Sequence, residues 1–267
     1  MNIIEILVIV FGLIIGSFLN VCIHRIPRQQ SVVFPPSACP GCGTAIKAWD
    51  NIPLISYLVL LRGKCRACGM PISFRYPLVE AANALLYYCA FLKFGAGWHL
   101  PVLMLFISAL IVIVFIDIDF QIIPDVITLP GMLVGVIAAA FLLPDPFSAF
   151  QTSDGSAVFE PLGIGNAVLG VVAGLGLFYL IAFLSKGGMG GGDVKMMGMV
   201  GAFLGYKGVL LTTLLGSLTG AMVGLGLIAF SKANRKTKIP FGPYLALGAL
   251  ISLFFGTPIV RWYLGMM

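Results

Sequence analysis

The chain has 267 residues, 60% of them hydrophobic and only 10% charged, where a soluble domain carries about 25% charge. That balance excludes a soluble enzyme, and no stacking motif or basic stripe points to nucleic acid. The net charge of +6 therefore reports membrane topology and contact with anionic lipid. Apolar runs of bilayer length, about 20 residues each, predict about eight transmembrane helices, at 3–23, 78–94, 100–116, 126–143, 162–184, 196–206, 208–230 and 241–260. The run at 196–206 is short, and hydropathy separates it poorly from the next. The first run has no basic residues before it, so it is expected to remain a span and not to be a cleaved signal peptide. The expected fold is an all-α polytopic membrane protein with a small zinc-ribbon-like insertion.

Orientation follows from Lys and Arg. Segment 24–77 carries Arg25, Arg28, Lys47, Arg62, Lys64, Arg66 and Arg75. Further along come Lys186 and Lys195, then Lys232, Arg235, Lys236 and Lys238. With eight spans these three segments share one side, the cytoplasmic one. Loop 144–161 has no Lys or Arg and carries Asp145, Asp154 and Glu160, which suits the outer face. Both termini are expected outside.

Segment 24–77 also holds two C-x2-C pairs, Cys39-Pro-Gly-Cys42 and Cys65-Arg-Ala-Cys68, each followed by glycine. Each pair supplies two thiolates from one turn, and four converging thiolates make a closed tetrahedral zinc site, structural in kind. The rival, a pair of disulfides, needs an oxidising compartment, which the cytoplasmic placement disfavours. Cys22 and Cys89 lie in apolar runs and read as small buried hydrophobes.

Carboxylates at or near bilayer depth are costly and mark functional sites. Asp117 ends the apolar run that starts near Leu103. Asp193 follows the glycine run Gly190-Gly191-Gly192. The two are 76 residues apart, on separate helices, and both fall at cytoplasmic ends. They can form a dyad in which one carboxylate activates water and its protonated partner polarises a scissile carbonyl. The three glycines suit close approach of a substrate backbone. Asp119 and Asp125 are near enough to rival Asp117, although Asp125 also reads as a cap for the helix starting at Val126. Only two histidines, His24 and His99, occur, so serine–histidine or histidine–metal chemistry has little support. A proton-coupled transporter also uses intramembrane acids, but no internal repeat of the transporter kind is found.

Several motifs occur in an order that resembles the type IV prepilin peptidases, the bifunctional leader peptidases and N-methyltransferases of pilus and type II secretion systems. They are Gly16-Ser-Phe-Leu-Asn-Val-Cys-Ile-His-Arg-Ile-Pro27, the cysteine pairs, Ser73-Phe-Arg-Tyr-Pro-Leu-Val-Glu80, the Asp117–Pro130 stretch, Gly188-Met-Gly-Gly-Gly-Asp-Val-Lys195 and Ile239-Pro-Phe-Gly-Pro-Tyr244. The resemblance is nearly full-length. It implies an aspartic peptidase with Asp193 as the G-x-G-D aspartate and Asp117 as its partner. The implied substrates are prepilins or pseudopilins, cut after a glycine at the cytoplasmic face of a bacterial inner membrane. The new N-terminus is then methylated from S-adenosylmethionine. No Rossmann-type glycine fingerprint marks a methyl-donor site; Glu80, Asn20 and Asn83 are candidate contacts, each equally readable as a helix-packing hydrogen bond. The expected division is a first helix at 1–23, a cysteine lobe at 24–77 tied to methyl transfer, and a peptidase core at 78–267.

Overall fold

The computed structural model describes residues 2–148, 150–151, 157–185, 189–230, 240–263 and 265. The basic segment 231–239, Lys186, Gly187, Gly188 and Asp154 lie outside the described residues. Among the described residues are seven α-helices: α1 Ile3–Arg25, α2 Arg75–Phe94, α3 His99–Phe120, α4 Asp125–Ala139, α5 Ile164–Leu184, α6 Gly191–Phe230 and α7 Gly242–Tyr263. A two-stranded antiparallel ribbon, β1 Phe150–Gln151 and β2 Ala157–Val158, lies between α4 and α5.

The eight apolar segments each keep a helix, because the element α6 holds two helices, one over 196–206 and one over 208–230, that meet at a non-helical residue. The kink falls at Gly205, whose φ of 68° and ψ of −176° are non-helical. A glycine is needed there because an L side chain rarely adopts that conformation. Five helices, α1, α3, α5, α6 and α7, are long and apolar enough to cross a membrane. Helix α4 is shorter, at 15 residues, and α2 interrupts its apolar residues with Glu80, Asn83 and Lys93. Lipid as solvent explains why large side chains such as Leu133, Val172, Phe183, Leu225 and Phe255 are exposed.

The chain divides into two compact units, Met1–Gly95 and Ala96–Met267. Helix α2 thus belongs with α1 and the cysteine lobe. In the first unit α1 and α2 pack through small residues. A Cβ on Gly12 would lie 2.6 Å from the Ala84 Cα, and one on Gly16 2.7 Å from the Glu80 Cα. Such close contact is how helices associate where lipid removes the hydrophobic drive between them. In the second unit α6 packs against α4, α5 and α7, while α3 packs against α4 and α7. Phe106 of α3 stacks on Phe203 of α6 with ring centroids 4.4 Å apart. Ile113, Ile116, Met196, Met197 and Leu245 are fully buried in the same unit.

Candidate functional site

Helix α3 ends just past Asp117. Gln121 closes it in the left-handed region at φ 54°, donating its N–H to the Asp117 carbonyl oxygen at 2.9 Å. The chain then turns through Ile123 and Pro124 into α4. Pro124, not Asp125, occupies the N-cap position, and no side chain caps this helix. The capping role expected of Asp125 is therefore corrected: its carboxylate sits in the first turn, where the helix dipole favours it, and accepts a hydrogen bond from Lys195 Nζ at 2.6 Å.

The glycine run is not a loop throughout. Helix α6 begins at Gly191, so Gly191, Gly192, Asp193 and Lys195 occupy its first turns. Gly190 and Gly191 are exposed, while Asp193 beside them is only 9% exposed. Asp117 is 5% exposed, whereas Asp119 and Asp125 are exposed. Ile123 sits between Gly192, in the first turn of α6, and Gly242, the first residue of α7. A Cβ on Gly192 would meet the Ile123 Cβ at 2.7 Å, and one on Gly242 would meet the Ile123 Cδ1 at 3.3 Å. Gly242 in turn donates its N–H to Asp117 Oδ2 at 2.9 Å. The ends of three helices thus converge on Ile123, and the carboxylates of Asp117 and Asp193 lie within electrostatic range of each other. The edge beside these two buried acids is open at Gly191, where a Cβ would meet nothing within 4 Å.

In the cysteine lobe the Sγ atoms of Cys39, Cys42, Cys65 and Cys68 all lie within 4.8 Å of one another. Cys39 and Cys68 Sγ are 3.8 Å apart, and a tetrahedron with Zn–S bonds of about 2.3 Å has edges of about 3.8 Å. The two knuckles repeat one backbone pattern. Cys39 N–H donates to the Thr44 oxygen and Gly43 N–H to the Cys39 oxygen; Cys65 N–H donates to the Met70 oxygen and Gly69 N–H to the Cys65 oxygen. Gly43 and Gly69 both have φ of 70°. Hydrogen bonding to Thr44 holds the Cys42 thiol down to about 6. At Cys68 the Met70 N–H pulls downward, but burial and the other three thiols push it up to about 11. Four touching thiols cannot all ionise without a cation, so the donor set fits a structural zinc ion.

The polar candidates near α2 are occupied within the first unit. Asn83 Nδ2 donates to the Gly12 oxygen at 2.7 Å, and Asn20 Nδ2 to the Tyr76 oxygen at 3.1 Å. Glu80 Oε2 accepts the Leu54 N–H at 2.8 Å, which ties the lobe to α2. Leu54 turns that N–H toward Glu80 with a φ of 58°. Sequence pattern could not reveal this contact or the one from Gly242, since both are backbone donors at positions with no side-chain signature.

Fold and site together define a polytopic membrane protein with a buried carboxylate pair and a four-cysteine lobe. The chain belongs to the type IV leader peptidase family: residues 104–225 match that family, and residues 10–94 match the bacterial peptidase A24 N-terminal domain. It is 39% identical to a prepilin leader peptidase/N-methyltransferase of Pseudomonas aeruginosa, over 96% of this chain and 92% of that one. The protein of the same name from Aeromonas hydrophila is 38% identical over 97% and 93% of the two chains. The Legionella pneumophila one is 36% identical over 96% and 92%. No solved structure matches the chain significantly. The family leaves the transporter alternative without support.

Proposed function

We propose that this chain cleaves the basic leader from type IV prepilins or pseudopilins after a glycine, at the cytoplasmic face of a bacterial inner membrane. It then N-methylates the new N-terminal residue from S-adenosylmethionine. The convergence of buried Asp117 and Asp193 on Ile123, beside the exposed Gly190–Gly191 edge, carries the peptidase part. One carboxylate takes a proton from water as the hydroxyl adds to the scissile carbonyl carbon. The other gives its proton to the carbonyl oxygen. Collapse of the adduct breaks the C–N bond, and the amine leaves with a proton. The glycine edge lets the substrate backbone approach the acids, with the leader in water and the apolar mature segment in lipid.

Cys39, Cys42, Cys65 and Cys68 would hold the zinc, which crosslinks the lobe and takes no part in either reaction. Methyl transfer falls to residues 1–80, where Glu80 and Asn20, with Asn83 just beyond, brace the helix pair. The peptidase core falls within 78–267, with both acids in the compact unit Ala96–Met267. The charge asymmetry of Lys and Arg supports a cytoplasmic lobe and cytoplasmic aspartates.

Incubating the purified protein with a prepilin peptide and S-adenosylmethionine, then weighing the products by mass spectrometry, tests both reactions. The expected product lacks the leader and is one methyl group heavier than the cut peptide. Asp117→Asn and Asp193→Asn should each give no cut product while still inserting and folding. Full cleavage by either variant overturns the pair.

A further inference from the structure

The segment that opens α7, Pro240-Phe241-Gly242-Pro243-Tyr244, is given no task by the water-and-carbonyl chemistry above. Gly242 is nevertheless the residue that touches Asp117. Its N–H donates to Oδ2 at 2.9 Å in a buried contact. A Cβ at this position would lie 2.7 Å from that oxygen and 3.2 Å from the carboxyl carbon. It would also crowd the Ile123 Cδ1 at 3.3 Å. Gly242 is the first residue of its helix, where the N–H has no partner within the helix and is free to bind outward. The backbone φ of Gly242 is not in the left-handed region. The glycine is therefore explained by space at the carboxylate and not by backbone conformation.

We propose that Gly242 is a positioning residue for proteolysis: its N–H fixes the rotation of the Asp117 carboxyl group by holding Oδ2, so that Oδ1 is the oxygen presented to the reacting water. The missing side chain is what allows the contact. Three constraints then act on one group. Helix α3 supplies Asp117, α7 supplies the donor, and Ile123 keeps the start of α7 in register with the start of α6. This deepens the aspartate-pair reading and rests on it. It adds a third chain segment to the catalytic machinery, 125 residues from Asp117 in sequence.

Two variants of the full-length protein test this. Gly242→Ala keeps the N–H and adds the Cβ; alanine is a better helix former than glycine, so α7 itself is not weakened. Replacing the Gly242 residue with glycolic acid turns its amide into an ester, which deletes the N–H and adds no bulk. Cleavage kinetics with a prepilin peptide and methylation of a pre-cut peptide are measured on both. Gly242→Ala should lower kcat by about a hundredfold, the cost of a small misplacement of a reacting group, with KM within about twofold. The ester should lower kcat by about tenfold or more, the loss of one hydrogen bond to a charged group. Methylation of the pre-cut peptide should be unchanged in both. Wild-type kcat in the ester variant overturns the proposal. So does parallel loss of cleavage and methylation in the ester variant, or an effect confined to KM. Asp117→Asn separates the two levels. If it cleaves normally, the aspartate pair itself fails; if it is inactive while both Gly242 variants cleave normally, only the role of Gly242 fails.

Discussion

Asp125 begins α4 with its charge answered by Lys195 across 2.6 Å, both side chains substantially exposed. Exposed pairs of this kind contribute about 0–1 kcal/mol. Asp125→Asn should therefore keep cleavage within a few-fold of wild type and shift thermal unfolding little, and Asp119→Asn should behave likewise. Loss of cleavage in either, measured beside Asp117→Asn in the same peptide assay, would move the upstream partner away from Asp117. Sequence favoured Asp117 but left Asp119 and Asp125 as rivals, because the contacts that separate the three acids are distant. Gly242 lies 125 residues from Asp117, and Lys195 lies 70 residues from Asp125. In the lobe, the Thr44 Oγ1 atom lies 3.2 Å from Cys42 Sγ, and this hydrogen bond is the largest influence holding that thiol down to about 6 from an ordinary 9.0. A thiol depressed in the fold favours the folded lobe fully above pH 9.0, and that contribution is lost as the pH falls through about 6. Zinc needs thiolates, so bound metal should be released on acidification. Thr44→Val should move the release to higher pH. A chromophoric chelator titrated against pH reads both curves, and superimposed curves would remove the hydroxyl from the account.

Among the elements, the interface of α5 and α6 is the tightest approach. A Cβ on Gly170 would strike the Gly201 carbonyl, one on Gly201 would strike the Gly170 carbonyl, and one on Gly174 would strike the Met197 carbonyl. Backbone cannot yield as a flexible side chain can. Gly201→Ala should thus destabilise the second unit by about 1–3 kcal/mol, the usual cost of overpacking, despite its better helix propensity. A lowered unfolding temperature in detergent, with weaker cleavage at elevated temperature, is the expected result. An unchanged transition would mean that the helices separate without loss. The apolar runs of α1, α3, α5, α6 and α7 were legible as spans because lipid demands about 20 such residues. The break between 196–206 and 208–230 was harder to place, since hydropathy barely changes there and only the non-helical backbone of Gly205 marks it. The close glycine contacts were equally hidden, because a glycine in a helix shows its purpose only once its neighbour is placed.

At the scale of the whole molecule, the candidate residues fall into separate units. The four cysteines, Glu80, Asn20 and Asn83 lie in Met1–Gly95, while Asp117, Asp193, Ile123 and Gly242 lie in Ala96–Met267. Among the described residues, the groups seen to support the acid pair are Gly242 and Ile123, both in the second unit. The zinc site instead fixes two knuckles whose connecting segment reaches α2 through the Leu54 N–H on Glu80. Removing the metal should loosen that segment and leave the acids where they are. Treatment with a strong zinc chelator, or the Cys39→Ser substitution, should therefore reduce methylation of a pre-cut peptide by at least about tenfold, as for a displaced supporting group. Leader cleavage should stay within about threefold, because the groups that hold the aspartates are untouched. Metal content measured on the same samples links cause to effect. Methylation that survives complete zinc loss would detach the lobe from methyl transfer. Cleavage that falls in step with zinc would show that the two units work as one, with the cysteine lobe holding the peptidase as well.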